Sequence, residues 1–225
     1  MTDDKQATEQ LLAEARTGDA RAIDQLLDRH RDKLRRMIDL RLDKQIAQRV
    51  DVSDIVQEVL VEVNRRLEDY LANPIMDFHL WIRQIAKDRI IDAHRRHRVS
   101  AKRSVDREQG LVARGPVDQS TVNLAAQLCD PELTPAAAAT QQELALHVQS
   151  AVDRLDERNR EIILMRHYEQ LSNQDIAQAL DLTEPAASMR YLRALKKLRG
   201  LLAGDTLLAD HDLGDKDSRE TGHDS

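Results

Sequence analysis

Aromatic residues are scarce in this sequence, and so are the residues that favour β-strands. Phe, Trp and Tyr make up 2% of the 225 residues, and runs of β-branched residues are few, which argues against a β-sheet. Ala, Leu, Arg, Gln and Glu, which favour helix, are abundant instead. With 41% apolar residues, enough for packed cores, the sequence predicts an all-α protein.

The sequence also lacks the usual marks of disulfides, metal sites and membrane segments. Its single cysteine, Cys129, has no partner for an internal disulfide. His94 and His97 lie three residues apart, but no third ligand at a suitable spacing accompanies them. The start of the chain is acidic, unlike a signal peptide, and no apolar run approaches the roughly 20 residues of a membrane span. We expect a cytoplasmic protein without cofactor, metal, membrane insertion or enzymatic activity.

The net charge of −6 hides strong local differences. Acidic residues concentrate after residue 203, whereas three interior segments, 29–49, 83–103 and 190–199, are basic. Local basic patches bind phosphate even on a protein that is acidic as a whole. The charge distribution is therefore compatible with a nucleic-acid partner.

Helical periodicity divides the chain into two parts. Apolar residues recur at steps of three and four in both parts, and Gly18-Asp19 and Asn73-Pro74 predict breaks between helices of the first. Between the parts the periodicity fades and Gly, Pro and small polar residues accumulate; Thr134-Pro135 then predicts a helix start. The expected arrangement is a disordered acidic N-terminus (1–9), a helical domain (10–98), a long flexible linker (99–134), a second helical domain (135–202) and a disordered acidic tail (203–225).

The second domain contains a helix-turn-helix pattern. Ser172 with Asp175 three residues later predicts a capped helix start, and Asp181–Thr183 predicts a short turn before a second helix. Cations at steps of three and four line one face of that second helix, which suits a helix that enters a major groove and contacts its phosphates. A basic helix in an ordinary bundle is the alternative. The residues that we expect to contact DNA are Ser188, Arg190, Arg193, Lys196 and Lys197.

The same segment resembles region 4 of the sigma-70 family of sigma factors. Three stretches carry the resemblance: L-x5-E-I-I-x2-R (155–166), L-S-x2-D-I-A (171–177) and R-A-L-x2-L-R (193–199). Two positions depart from the family pattern. Asp175 stands where Glu is usual, and Pro185–Ala187 replaces the usual Gly-Thr-Val-like opening of the recognition helix.

The first domain resembles sigma region 2. Residues 51–60 (D-V-S-D-I-V-Q-E-V-L) resemble the segment that binds the clamp helices of polymerase. Residues 12–26 resemble the start of region 2, and residues 78–96 resemble its DNA-facing end. No counterpart of regions one or three is present, so the chain resembles the short extracytoplasmic-function group. On the helix that starts near Asp51, polar residues lie opposite the apolar face, and Glu62 belongs to them. The residues that we expect to bind polymerase are Asp51, Asp54, Gln57 and Glu58.

The resemblance implies a sigma factor that directs core RNA polymerase to promoters. The first domain would then bind and open the minus 10 element, and the helix-turn-helix would bind the minus 35 element. Asp88 stands where this group usually has Asn, and the loop 73–79 is the candidate for capturing an unpaired base. Promoter DNA, core RNA polymerase and an anti-sigma factor are the partners considered, for a chain that is a monomer when free. The residues expected at the minus 10 element are Trp81, Arg83, Lys87, Arg89, Arg95 and Arg96.

Two other functions fit parts of the sequence. In a one-component transcriptional regulator, residues 1–98 would sense a signal or dimerise, and residues 140–200 would bind an operator. In a helical adaptor without a DNA role, the cations of the second domain would be no more than a solvated face. The resemblance of residues 51–60 to region 2 favours the sigma factor over both.

Overall fold

Helices make up all the regular structure in the part of the chain that the computed structural model describes, residues 2–42, 44–47, 49–101, 118–128 and 138–214. The prediction of an all-α fold is confirmed. These residues fall into two units, an N-terminal unit that ends with α5 and a C-terminal unit that begins with α6. The helices are α1 (Thr2–Arg16), α2 (Ala20–Arg41), α3 (Lys44–Ala47), α4 (Val52–Ala72), α5 (Phe78–Ala101), α6 (Gln119–Leu128), α7 (Ala138–Asp153), α8 (Glu157–Ile163), α9 (Asn173–Ala179) and α10 (Glu184–Gly214).

Short polar residues start the helices of the N-terminal unit. The side chain of Asp19 accepts a hydrogen bond from the backbone N–H of Arg21 and caps α2, directly after Gly18, whose φ is +84°. Asp51 caps α4 in the same way, through the N–H of Ser53. The breaks predicted at Gly18-Asp19 and Asn73-Pro74 both separate helices in the structure. The apolar faces of α2, α4 and α5 meet in one core built on Leu26, Ile38, Ile55, Val59, Val63, Leu67, Ile82 and Ala86.

The few aromatic residues of the N-terminal unit gather where α4 gives way to α5. Trp81 stacks on Tyr70 with ring centroids 4.5 Å apart, and Phe78 lies 5.4 Å from Tyr70. The Tyr70 hydroxyl donates a hydrogen bond to the carbonyl of Met76, at 2.9 Å. The loop between the two helices is therefore fastened to the aromatic cluster, and Trp81 packs partly into the core.

The C-terminal unit is built on α7, α8, α9 and α10. Helix α8 passes directly into one π-helical turn, Leu164–Tyr168, whose apolar residues are buried with Ile162 and Ile163. After this turn, Gln170 has φ +56°, and Asp181 between α9 and α10 has φ +53°. Both residues reverse the chain direction in a conformation that is uncommon for a side-chain-bearing residue. The two turns bring α9 against the π-helical turn and α10 against α8 and α9.

Helix α6 lies inside the segment that the sequence placed in a linker. It packs on α7 and on the π-helical turn, with Leu124 and Ala125 buried and the hydroxyls of Thr121 and Tyr168 hydrogen-bonded at 3.0 Å. Ten residues are too few for a helix that is stable alone, so α6 depends on this packing. Because Gly and Pro residues lie on both sides of this short helix, the sequence pattern predicted a linker here.

The two ends of the chain also contain helix where the sequence predicted disorder. Helix α1 begins at Thr2, and Asp4 on it forms ion pairs with Arg29 and Lys33 of α2. Helix α10 reaches Gly214, while residues 215–225 of the predicted tail and the predicted helix start at Thr134-Pro135 lie outside the described residues. Across the described ranges, no helix has both the length and the apolar character that crossing a membrane requires.

Candidate nucleic-acid interface

Helices α9 and α10 form the predicted helix-turn-helix. The Ser172 hydroxyl accepts a hydrogen bond from the Asp175 N–H at 3.0 Å, and the Asp175 carboxylate accepts one from the Ser172 N–H at 3.1 Å. This reciprocal pair is the capping box that the sequence predicted, with Asp in place of Glu. The Thr183 hydroxyl then accepts a hydrogen bond from the N–H of Ala186 and caps α10. Both helix starts are thus fixed by their own side chains.

Helix α10 buries one face and exposes the other. Ala187, Ala194 and Leu198 are fully buried against the rest of the unit. Among the residues expected to contact the minus 35 element, four are exposed on the opposite side or its edge: Ser188, Arg193, Lys196 and Lys197. The helix therefore offers polar and cationic side chains to a ligand outside the domain.

Two of the expected minus 35 residues, Arg190 and Lys197, have partners within the unit. The Arg190 guanidinium donates a hydrogen bond to the carbonyl of Arg158 at 3.1 Å. The Lys197 ammonium lies 2.6 Å from the carboxylate of Asp156, the residue that caps α8. The hydrogen bond from Lys197, followed by those from Asn159, holds the pKa of Asp156 well below its usual range. Contact of Lys197 with a phosphate would require it to leave Asp156.

The outer surface of α10 also carries apolar residues that the sequence reasoning missed. Met189 and Leu192 are 50% and 55% exposed, although a residue of either kind is usually buried. Pro185 and Ala186 are exposed one turn earlier. Helical spacing from the buried Ala187 would have found them, because residues two and five positions later fall on the other side of the helix.

Beside this surface, Tyr191 is held by two residues of the π-helical turn. Its hydroxyl lies 2.9 Å from Nε2 of His167, and the Arg166 guanidinium lies 5.9 Å from its ring centroid. Burial, together with the positive charge of Arg166, lowers the pKa of His167 to about 4, so its imidazole is neutral near pH 7 and can accept this hydrogen bond. A cleft of about 240 Å³ lies here, lined by Ile162, Arg166, Asn173, Ile176, Ala187, Ser188, Tyr191 and Leu192.

On α5, the residues expected at the minus 10 element divide into exposed and enclosed ones. Lys87 and Arg95 are exposed, and Trp81 is half-buried by its stacking on Tyr70. Arg83 departs from expectation, because it is only 6% exposed. It lies three residues after the buried Leu80 and therefore on the packed side of the helix, where its charge is enclosed by the domain.

Arg89 and Arg96, the remaining two, form ion pairs with acids of α4. Arg96 donates to the Glu58 carboxylate at 3.0 and 3.3 Å. Arg89 lies 3.1 Å from Glu62, which also pairs with Arg65 and Arg66. Arg89, Arg96 and the two acids, Glu58 and Glu62, line a shallow surface depression of about 570 Å³. Two arginines of the expected minus 10 surface are thus already paired with acids of α4.

The expectation that Glu62 lies on the polar face of α4 is wrong. Its side chain is only 8% exposed, so it is not presented to a partner with the other polar residues. The hydrogen bond from Arg65, with that from Arg66, lowers the pKa of Glu62 to about 2, and the carboxylate stays charged. Glu62 therefore acts as an internal counter-ion for arginines of α4 and α5.

The four residues expected to bind polymerase lie together at the start of α4. Asp51 is the exposed N-cap and Asp54 is exposed one turn later. The hydrogen bond from the Ser53 N–H lowers the pKa of Asp51, which keeps its charge. Gln57 is exposed and lies 3.5 Å from Arg31, and Glu58 pairs with Arg96. The beginning of α4 thus presents an acidic surface, and Glu58 and Glu62 further along the helix pair with arginines.

Two sequence families and several known proteins are similar to this chain. The family model for sigma-70 region 2 matches residues 26–99, and that for sigma-70 region 4 matches residues 146–198. Over 157 aligned residues the chain is 30% identical to RNA polymerase sigma factor CnrH of Cupriavidus metallidurans. The alignment covers 69% of this chain and 75% of CnrH. The two matched regions include the helix-turn-helix and the acidic start of α4.

Solved structures share the fold. CnrH in complex with the cytosolic domain of CnrY has a TM-score of 0.55 and 25% identity, covering 88% of this chain and 99% of that one. The sigma factor RpoE of Bartonella quintana, in complex with the anti-sigma factor NepR, has a TM-score of 0.52 and 19% identity, covering 80% and 96%. The second likeness concerns the fold alone.

Proposed function

The chain belongs to the sigma-70 family of RNA polymerase sigma factors, in its extracytoplasmic-function group. We propose that three of its surfaces bind the minus 35 element, the minus 10 element and core polymerase in promoter-specific transcription initiation. A sigma factor binds core RNA polymerase and directs it to a promoter. The observation that carries this function is the presence of region 2 and region 4 in one chain. An operator-binding regulator would account for residues 146–198 but not for the region 2 match over residues 26–99.

The minus 35 element is bound by the outer surface of α10. Arg193 and Lys196 are exposed and cationic, and Ser188 lies at the edge of the same surface. Arg190 and Lys197 reach the flanking phosphates by exchanging the Arg158 carbonyl and the Asp156 carboxylate for DNA. Salt weakens the internal pair of Lys197 and Asp156 as well as the contact with phosphate, so this exchange makes binding less dependent on salt than a set of unpaired cations would be.

The minus 10 element is bound along α5. Lys87 and Arg95 hold separated backbones because both are exposed. Arg89 and Arg96 also contact the DNA backbone, and each keeps its ion pair with Glu62 or Glu58. Trp81 supports the surface through its stacking on Tyr70, and Arg83 stabilises the domain from inside.

Polymerase is bound by the acidic start of α4, with Asp51, Asp54 and Gln57 as its exposed members. The nucleotidyl-transfer chemistry belongs to the polymerase, so this chain acts by binding and not as an enzyme. Promoter DNA and core polymerase place the protein in the cytoplasm. A regulatory protein is a further partner in this proposal, because the similar CnrH was solved with the cytosolic domain of CnrY.

Reconstitution with core polymerase tests this function. The chain should co-elute with core enzyme and start transcription at a defined promoter. Asp54→Lys reverses an exposed charge of the polymerase surface and should abolish co-elution and transcripts. Glu68→Lys, an equally exposed acid four turns along the same helix, is the matched control and should leave both intact.

Two results would count against the proposal. If the unaltered chain neither co-elutes with a suitable core enzyme nor supports a transcript, the sigma-factor function is wrong for this chain. If Asp54→Lys and Glu68→Lys co-elute equally well, the function stands but the polymerase surface lies elsewhere.

A further inference from the structure

The first two turns of α10 present no hydrogen-bonding side chain at the centre of their outer face. A helix advances 100° per residue, so Met189 points almost directly away from the buried Ala187, Ala194 and Leu198. Pro185 and Ala186 flank it one turn earlier and Leu192 one turn later, all of them exposed. The outermost surface at the start of the recognition helix is therefore apolar.

Cations surround this apolar centre. Arg193 and Lys196 continue the outer face toward the C-terminus, and Arg190 and Lys197 lie about 90° to one side of Met189. Residues 185–204 contain no acidic residue. Apolar side chains at the centre and cations around them match the major groove, which has thymine methyl groups on its floor and phosphates along its edges.

We infer that this chain recognises thymine in the minus 35 element through its C5-methyl group, with Met189 as the contacting residue and Leu192 and Ala186 beside it. The inference rests on the proposed binding of the minus 35 element by α10. Residues in the N-terminal part of a recognition helix reach the base edges, and here those residues offer van der Waals contact in place of hydrogen bonds. Arg193, one turn further on, supplies hydrogen bonds to a neighbouring base or phosphate.

Thymine and uracil differ by this methyl group alone, which gives a direct test. Promoter fragments selected by the reconstituted holoenzyme would be remade with uracil in place of each minus 35 thymine, and affinities measured by fluorescence anisotropy. For the unaltered chain, at least one replacement should weaken binding about fourfold, the effect of one methyl group buried at ~0.8 kcal/mol.

Variants of Met189 connect this preference to the side chain. Met189→Ser should bind the thymine and uracil fragments equally, and Met189→Leu should keep the preference for thymine. Leu146→Ser removes a similarly exposed apolar residue of α7 and should leave the preference unchanged. The fourfold difference then depends on an apolar side chain at this one position.

Several outcomes would overturn the inference. The unaltered chain could select a promoter yet show no loss of affinity when any minus 35 thymine is replaced by uracil. Alternatively, Met189→Ser could weaken binding to the thymine and uracil fragments by the same factor. Met189→Ser could also leave promoter binding and the thymine preference unchanged, as it would if this face bound a protein. Each of these leaves the sigma-factor function standing, whereas failure of the unaltered holoenzyme to select any promoter would refute that function first.

Discussion

At the scale of single residues, the most unusual group in the N-terminal unit is a buried histidine. His30 on α2 is 5% exposed, and its ring meets Phe78 edge-on at 5.3 Å. Among the residues that the structure describes, none hydrogen-bonds to its Nε2. Burial lowers the pKa of His30 to about 4, with further lowering by the charges of Lys33 and His79. The neutral ring behaves as part of the core.

This histidine should make the N-terminal unit sensitive to acid. The unfolded chain binds a proton at His30 below about pH 6.5 and the folded chain only near 4, so its contribution is complete above pH 6.5 and is lost as the pH falls toward 4. Between pH 6.5 and 5 the free energy of unfolding should drop by about 2 kcal/mol through this residue. Urea titrations followed by fluorescence of Trp81, the only tryptophan, would measure it.

His30→Leu provides the comparison, because it keeps an apolar side chain and removes the proton-binding group. The variant should lose less stability than the original chain over the same pH interval. The two proteins differ at this one position, so the difference between their slopes reports on His30. Equal slopes against pH in the two proteins would show that His30 does not titrate as its burial requires.

Charged residues were the hardest to place from sequence. The sequence assigned Glu62 and Arg83 to exposed faces, because charged residues are seldom buried. In the structure Arg83 lies on the packed side of α5, and Glu62 lies among three arginines, one of which belongs to another helix. Such pairing depends on which helices become neighbours, and helical spacing within one segment does not contain that information. Ser172 and Asp175, whose interaction is local, were predicted correctly.

At the scale of elements, periodicity and capping predicted helices well where they were long. The breaks near Gly18 and Asn73 were clear because the amphipathic pattern stops and restarts there. Helix α6 escaped prediction because ten residues give fewer than three turns of periodicity, and Gly and Pro residues lie on both sides. Its identity as a helix is decided by contact with α7 and the π-helical turn. A tertiary contact of this kind leaves little trace in the local sequence.

Helix α6 should therefore contribute to the stability of the C-terminal unit. Leu124 is fully buried, so Leu124→Ala should lower the free energy of unfolding of this unit by about 2–4 kcal/mol, through lost apolar contact and the cavity left behind. Hydrogen exchange of the full chain, followed by mass spectrometry, would show faster exchange in α7 and in Leu164–Tyr168. Exchange in α4 should not change.

Gln127→Ala is the matched control for this experiment. Gln127 is exposed on the same helix, and its truncation should leave exchange in α7 as it was. If Leu124→Ala left α7 and the π-helical turn equally protected, α6 would be a passive part of the connection, as the sequence first indicated.

At the scale of the whole molecule, initiation requires two surfaces that act on different parts of one promoter. In the function proposed above, the exposed cations of α10 bind the duplex and those of α5 bind the separated strands. We expect loss of either surface to abolish transcripts, so transcript yield alone would not distinguish them. Their roles separate only when binding of the promoter and opening of its strands are measured individually.

Charge reversal on each surface should therefore produce different defects in the holoenzyme. Arg193→Glu should weaken promoter binding in a filter-binding assay, whereas Lys87→Glu combined with Arg95→Glu should reduce the permanganate reactivity of minus 10 thymines more than it reduces binding. A promoter with a pre-opened, mismatched minus 10 segment should restore transcription to the double variant, because the cost of separating the strands has been removed. It should not restore transcription to Arg193→Glu, whose duplex contacts lie elsewhere.

Arg21→Glu changes an exposed cation of α2 outside both surfaces and controls for the change in net charge. Equal rescue of all variants by the pre-opened promoter would contradict this division of roles.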